Sequence, residues 1–200
     1  MNVTDKGAAR LNVTNFKSGT FTRGILIDIP RLREVPFLDA RAASHPENLD
    51  AWEKKAHIHI GSGDVVLVRA GRWALRVKRG PWDAAARSAG LLASCVPWLH
   101  ARDLVLVGSD AASGVAPSGI EGVVQPVHQL LLIAMDTPLT DNCDLESLGE
   151  AAAKRGRSEF LRTTSPLSVG GGTGSSTESD RDILIKSLGG LPCVLELAGR

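Results

Sequence analysis

His45 to Arg69 reads HPENLDAWEKKAHIHIGSGDVVLVR, and its change of rhythm partway along decides the fold class. Leu49, Trp52 and Ala56 recur at helical spacing behind a polar start, His45-Pro46-Glu47-Asn48, that suits a helix cap. Gly61-Ser62-Gly63-Asp64 then turns the chain into VVLVR, a short unbroken apolar run of the kind found in a strand buried on both faces. Helix, turn and doubly buried strand in succession form the repeating unit of a layered α/β protein.

The same order recurs on either side. GILIDI, Gly24 to Ile29, is an apolar run rich in β-branched residues and closed by Pro30, as a strand would be. Downstream, Gly80 to Asp103, GPWDAAARSAGLLASCVPWLHARD, reads as mostly helical with Pro97 restarting the helix, and Leu104 to Gly108, LVLVG, as another buried strand. Pro117 to Pro126 reads as a loop, Val127 to Met135 as a helix and Pro138 to Thr140 as a short extended segment. Asp144 caps a helix over LESLGEAAAKRG, and Phe160 to Thr164 returns as a strand. Three regions follow: a disordered or irregular polar segment over 1–20, an α/β domain over 21–175, and a divergent tail over 176–200. From Gly170 the chain turns flexible and polar, and a detached apolar segment, ILIKSLGGLPCVLEL, follows.

Composition narrows the function classes. Lys and Arg number 23 against 22 Asp and Glu, so the net charge of +1 leaves no electrostatic footprint for nucleic acid or an anionic membrane. Such a chain suits a small-molecule enzyme or a protein–protein module. Cys95, Cys143 and Cys193 are odd in number and widely spaced, which argues against a disulfide framework and for a cytoplasmic, reducing setting. Leu130 to Met135, the longest apolar run, falls far short of the roughly 20 residues that a membrane helix needs.

Three places carry candidate chemistry. His128 heads the apolar helix, with Asp136, Asp141 and Asp144 downstream. Neutral imidazole and carboxylate are the natural ligands of zinc or manganese, but a solvated or helix-capping histidine reads the same in sequence. His57 and His59 form an H-x-H pair that a strand would turn to one face, or a pair of ordinary polar residues ahead of a turn. Asp110 lies where a buried strand runs out into a loop, a favoured place for functional groups in α/β folds, and equally a place for a turn-capping carboxylate. G-x-S-x-G is absent, and GGGTG at Gly170 lacks the lysine of a P-loop, so serine-hydrolase and nucleotide sites are set aside.

Taken together, GILIDIPRL, GSGDVVLVRAGRW, the Gly80 to Ser113 stretch, the PSGIEG loop, PVHQLLLIAM with DNCDLESL, and PLSVGGGTGS resemble the cyclase family of metal-dependent hydrolases. That family includes kynurenine formamidase and isatin hydrolase, and the likeness runs from about Arg23 to Ser175. The resemblance implies a swivelling β/β/α domain, a homo-oligomer, a bound divalent metal (zinc or manganese), and hydrolysis of an amide or cyclic amide, such as N-formylkynurenine, by a metal-activated water. Carried over by position, His128 looks like a late histidine ligand. Asp141 stands where many members have a glutamate ligand, and Asp110 falls near the substrate. The family's H-x-G-T-H-x-D run, which supplies most of its ligands, has no counterpart here, so the resemblance implies a domain incomplete at the N-terminus. A non-catalytic member acting as a scaffold or interaction protein is the alternative that this departure leaves open.

Overall fold

The computed structural model describes residues 3–8, 12–175, 177–178, 183–185 and 195–197. In chain order these form β1 (Val3–Thr4), β2 (Gly7–Ala8), a 3-10 turn (Val13–Phe16), β3 (Thr20–Asp28), α1 (Ile29–Leu32), β4 (Ala43–Ser44) and α2 (Pro46–Ala56). Then come β5 (Val65–Arg69), α3 (Arg72–Arg79), β6 (Gly90–Leu91), a second 3-10 turn (Ala93–Cys95), α4 (Val96–His100) and β7 (Leu106–Ser109). The chain continues with α5 (Pro126–His128), a π-helical segment (Gln129–Ala134), β8 (Leu139–Thr140), α6 (Glu146–Arg155), β9 (Glu159–Pro166), β10 (Thr177–Glu178), β11 (Ile183–Ile185) and β12 (Leu195–Leu197). Among the described residues no helix is long and apolar enough to cross a membrane. Most of the tail over 176–200, with Cys193, lies outside the described residues.

Two compact units divide these elements. The larger, Gly24–Glu159, is built on parallel strands in the order β3-β5-β7-β8. Gly24 to Asp28 of β3 pair with Val65 to Arg69, Val65 to Val68 with Leu106 to Ser109, and Val107 and Gly108 with Leu139 and Thr140. The expected α/β fold is thus present, and its central strand explains the VVLVR signature: all five residues of β5 are buried. Each buried Val or Leu there contributes roughly 1.5–3 kcal/mol of transfer free energy.

The α2 helix follows the predicted apolar spacing, burying Leu49 and Trp52 in the same core as Ile25, Val66 and Val107. Asn48 Oδ1 accepts from the His45 N–H at its start, and Trp52 Nε1 donates to the Leu26 carbonyl at 2.7 Å, a bond contributing about 1 kcal/mol net. Ion pairs close the other side. Arg69 donates to Asp28 Oδ1 at 3.0 Å and to Glu146 Oε2 at 2.6 Å, and Gly149 of α6 leaves room for the guanidinium.

One expectation is overturned: Pro81 to Leu92 is not helical. Asp83 folds its carboxylate onto the N–H groups of Ala85 and Ala86 in a local turn, and Ser88 to Leu91 pair instead with the segment around Ser113 to Ala116. Long-range pairing there overrides the helical preference of the alanines. The helix resumes only at Ala93 and Val96.

The smaller unit joins the segments before Gly24 and after Glu159. There β1 and β2 form a hairpin, and the Ala8 and Val13 N–H groups donate to Gly171 and Gly172 carbonyls at 2.8 Å. Strand β9 pairs antiparallel with β10 and with β11, which in turn pairs with β12.

Candidate functional site

The C-terminal edge of the parallel sheet assembles the site, as it does in open α/β sheets generally. Strand β8 runs beside β7 for two residues, and Gly108 allows the close approach: a Cβ there would come within 3.0 Å of the Thr140 carbonyl. Beyond the strand ends two further backbone bonds keep the segments together, Asn142 N–H to Ala111 O at 2.9 Å and Cys143 N–H to Ser109 O at 3.0 Å. Asp141 is thereby fixed over the loop that follows β7. His128 arrives from the junction of α5 with the π-helical segment.

The two residues singled out in the sequence meet here. His128 Nε2 lies 2.7 Å from Asp141 Oδ2, with the side chains 18% and 32% exposed, so solvent and ligands can reach both. Asp141 Oδ1 accepts from Ser113 Oγ at 2.6 Å. Ser113 in turn sits at φ 52°, and its N–H donates to Ser109 Oγ at 2.9 Å. A small cleft of about 120 Å³, open to solvent, lies against His128; Ala84, Ala93, Gly114, Ala116 and Val127 are among its small apolar walls.

Asp110 is not brought to this pair. It is 0% exposed, and its two oxygens accept N–H groups of Ala70 at 2.9 Å, Gly71 at 2.7 Å and Arg72 at 3.1 Å, which anchors the start of α3. Burial pushes its carboxyl up to about 6 despite those three bonds and the nearby Arg69 charge. His57 and His59 are exposed; His57 ends α2 in the left-handed conformation rather than lying on a strand. Asp144 spends an oxygen on the Glu146 N–H just ahead of α6, whose cap position is Leu145 rather than Asp144 as expected. Cys95 is buried and its thiol pushed up to about 12 by that burial, which leaves it unreactive.

His128 and Asp141 fit a divalent cation in chemistry, since neutral imidazole and carboxylate suit zinc or manganese. They supply two donors, and among the described residues no group of three or more His, Cys, Asp or Glu side chains is placed to hold a metal. Ser109 and Ser113, which hold Asp141 in place, read in the sequence as ordinary loop serines. Their only signal is that they flank Asp110 at a spacing of four, as S-D-A-A-S.

Residues 6–114 match the model of the cyclase family, described as "Putative cyclase"; the matched stretch ends ahead of His128. No curated protein matches the chain. Among solved structures, the crystal structure of a novel cyclase superposes with a TM-score of 0.74 at 26% identity, covering 88% of this chain and 59% of that one. An isatin hydrolase bound to the product analogue thioisatinate gives a TM-score of 0.59 at 22% identity, covering 87% and 63%. A potential metal-dependent hydrolase with cyclase activity gives 0.55 at 15%, covering 88% and 70%. The last two show the shared fold alone. The chain spans about three fifths of the length of the first two structures. With its parallel β3-β5-β7-β8 sheet and more than half of its length matched, the chain belongs to the cyclase family.

Proposed function

We propose that the chain is a cyclase-family hydrolase that cleaves an amide or cyclic amide, of the kynurenine formamidase kind, with N-formylkynurenine or a related aryl amide as substrate. The observation that carries this reading is the 2.7 Å meeting of His128 and Asp141 at the C-terminal edge of the sheet, beside an apolar cleft. Isatin hydrolase and a potential metal-dependent hydrolase among the structural neighbours support it. In the reaction, water oxygen bonds to the carbonyl carbon, the C–N bond breaks, and the departing nitrogen takes a proton.

His128 and Asp141 would be two of the protein donors to a divalent cation, zinc or manganese. Such a cation lowers the pKa of water from about 15.7 toward 7 and polarises the carbonyl. The walls of Ala84, Ala93, Ala116 and Val127 suit the flat apolar part of an aryl amide and exclude water around it. Asp110 enters as the anchor of α3, acting on substrate only through the frame that it holds. The same reading has the protein work on a small molecule, as a cytoplasmic homo-oligomer.

The second reading, a non-catalytic member serving as a scaffold, is favoured by the donor count: tight zinc sites use three or four protein ligands, and the described residues bring two together. Titration of the 200-residue chain with Zn²⁺ and Mn²⁺, with assays on N-formylkynurenine and isatin, separates the two. Stoichiometric metal and turnover, with turnover lost by at least about 100-fold in His128→Ala, support the hydrolase. Neither metal nor turnover leaves the scaffold.

A further inference from the structure

We propose that Ser113 is a positioning residue for the His128–Asp141 pair. Its hydroxyl fixes the Asp141 carboxylate so that one oxygen is held by the loop after β7 and the other is presented to His128 and to whatever His128 binds. The inference rests on the metal-site reading above, yet its geometry stands on the protein's own atoms.

Asp141 has two oxygens with separate duties. Oδ1 takes the Ser113 hydroxyl at 2.6 Å, and Oδ2 faces His128 Nε2 at 2.7 Å. A carboxylate on a residue 32% exposed would otherwise turn about its side-chain bonds, because solvent satisfies any orientation. A hydroxyl donating to an ionised carboxylate makes one of the stronger bonds available to a protein, and it selects one orientation.

The backbone around Ser113 is shaped for this contact. Ser113 occupies φ 52°, a region uncommon for residues other than glycine, asparagine and aspartate. Ser109 Oγ holds it there, accepting the Ser113 N–H at 2.9 Å and the Ala111 N–H at 3.1 Å. Asn142, next to Asp141, is left-handed as well, at φ 66°, and donates its N–H to Ala111 O. Ser113 thus holds a backbone conformation that costs free energy, and among the contacts between the two loops its hydroxyl makes the one that reaches the Asp141 side chain. Strain of this kind concentrates where function demands it. Hydrogen-bonded partners of metal-ligating carboxylates typically change metal affinity by about 10- to 100-fold when removed.

The test compares wild type with Ser113→Ala, Ser113→Gly and Ser109→Ala. Two readouts are used: NMR scalar couplings that report the Asp141 side-chain rotamer without metal, and Mn²⁺ affinity by electron paramagnetic resonance. Wild type is expected to hold one Asp141 rotamer. Ser113→Ala and Ser113→Gly are expected to average it and to weaken Mn²⁺ by about 10- to 100-fold. Glycine tolerates φ 52°, so a folded Ser113→Gly with an averaged rotamer separates loss of the hydroxyl from loss of the loop. A single Asp141 rotamer retained in Ser113→Gly overturns the inference. Rotamer averaging in a protein whose wild type binds no Mn²⁺ keeps the positioning role and overturns the metal reading instead.

Discussion

Asp110 exchanges solvent for three backbone N–H donors, and burial still outweighs them, raising its carboxyl from the ordinary 3.8 to about 6. Because the folded chain then holds the proton more tightly than the unfolded one, stability from this group is greatest below about pH 4. It falls as pH rises through about 6, by roughly 3 kcal/mol in all. Asp110→Asn is expected to remove that slope in urea unfolding followed across this range. It should also cost about 1–3 kcal/mol at neutral pH, since an amide offers one oxygen to three N–H groups. An unchanged slope in the variant would assign the titration elsewhere. At this scale His128 stood out by residue type, whereas Asp141 was set apart from Asp136 and Asp144 only by the family resemblance; the two side chains lie 2.7 Å apart. Ser109 and Ser113 did not stand out, because a hydroxyl in a loop acquires a role only from what the fold sets opposite it. Asp110 stood out by position, yet the direction of its carboxylate follows from α3, eight residues whose basic pattern gave no warning of a helix.

The strands β5 and β7 could be read as unbroken apolar runs, buried throughout, and the helices α2 and α6 by the spacing of their apolar residues. The stretch from Pro81 to Leu92 could not, since its alanines favour a helix and only distant pairings, with β4 and with the loop after β7, forbid one. Gly90 is the place where those contacts are closest. A Cβ at Gly90 would lie 2.5 Å from the Gly114 carbonyl carbon, and Leu91 N–H donates to Ser113 O at 2.8 Å alongside it. Gly90→Ala is therefore expected to push back the Ser113–Gly114 segment, at about 1–3 kcal/mol of stability. It should also disturb the Ser113–Asp141 bond, although Gly90 touches neither Asp141 nor His128. Thermal unfolding, with the Asp141 rotamer couplings, checks both halves. A variant with wild-type stability would show the approach at Gly90 to be compliant.

Over the whole molecule, nearly balanced charge gives little repulsion between copies, while several large apolar side chains between Ile120 and Ile133 meet solvent. Val124 is 78% exposed and Ile133 64%. Such surfaces drive association. The chain is expected to show concentration-dependent self-association by light scattering, and the double variant Val124→Glu and Ile133→Glu to shift it toward single copies. Concentration-independent single copies of wild type would contradict this. The two backbone bonds that lace Asn142 and Cys143 to Ala111 and Ser109 have a use beyond holding Asp141. Those amide protons can exchange with deuterium only when the two loops part, so their exchange rate is a clock for how long the site stays assembled. It needs no substrate, no metal and no assay of turnover, and it can be read in any variant that folds.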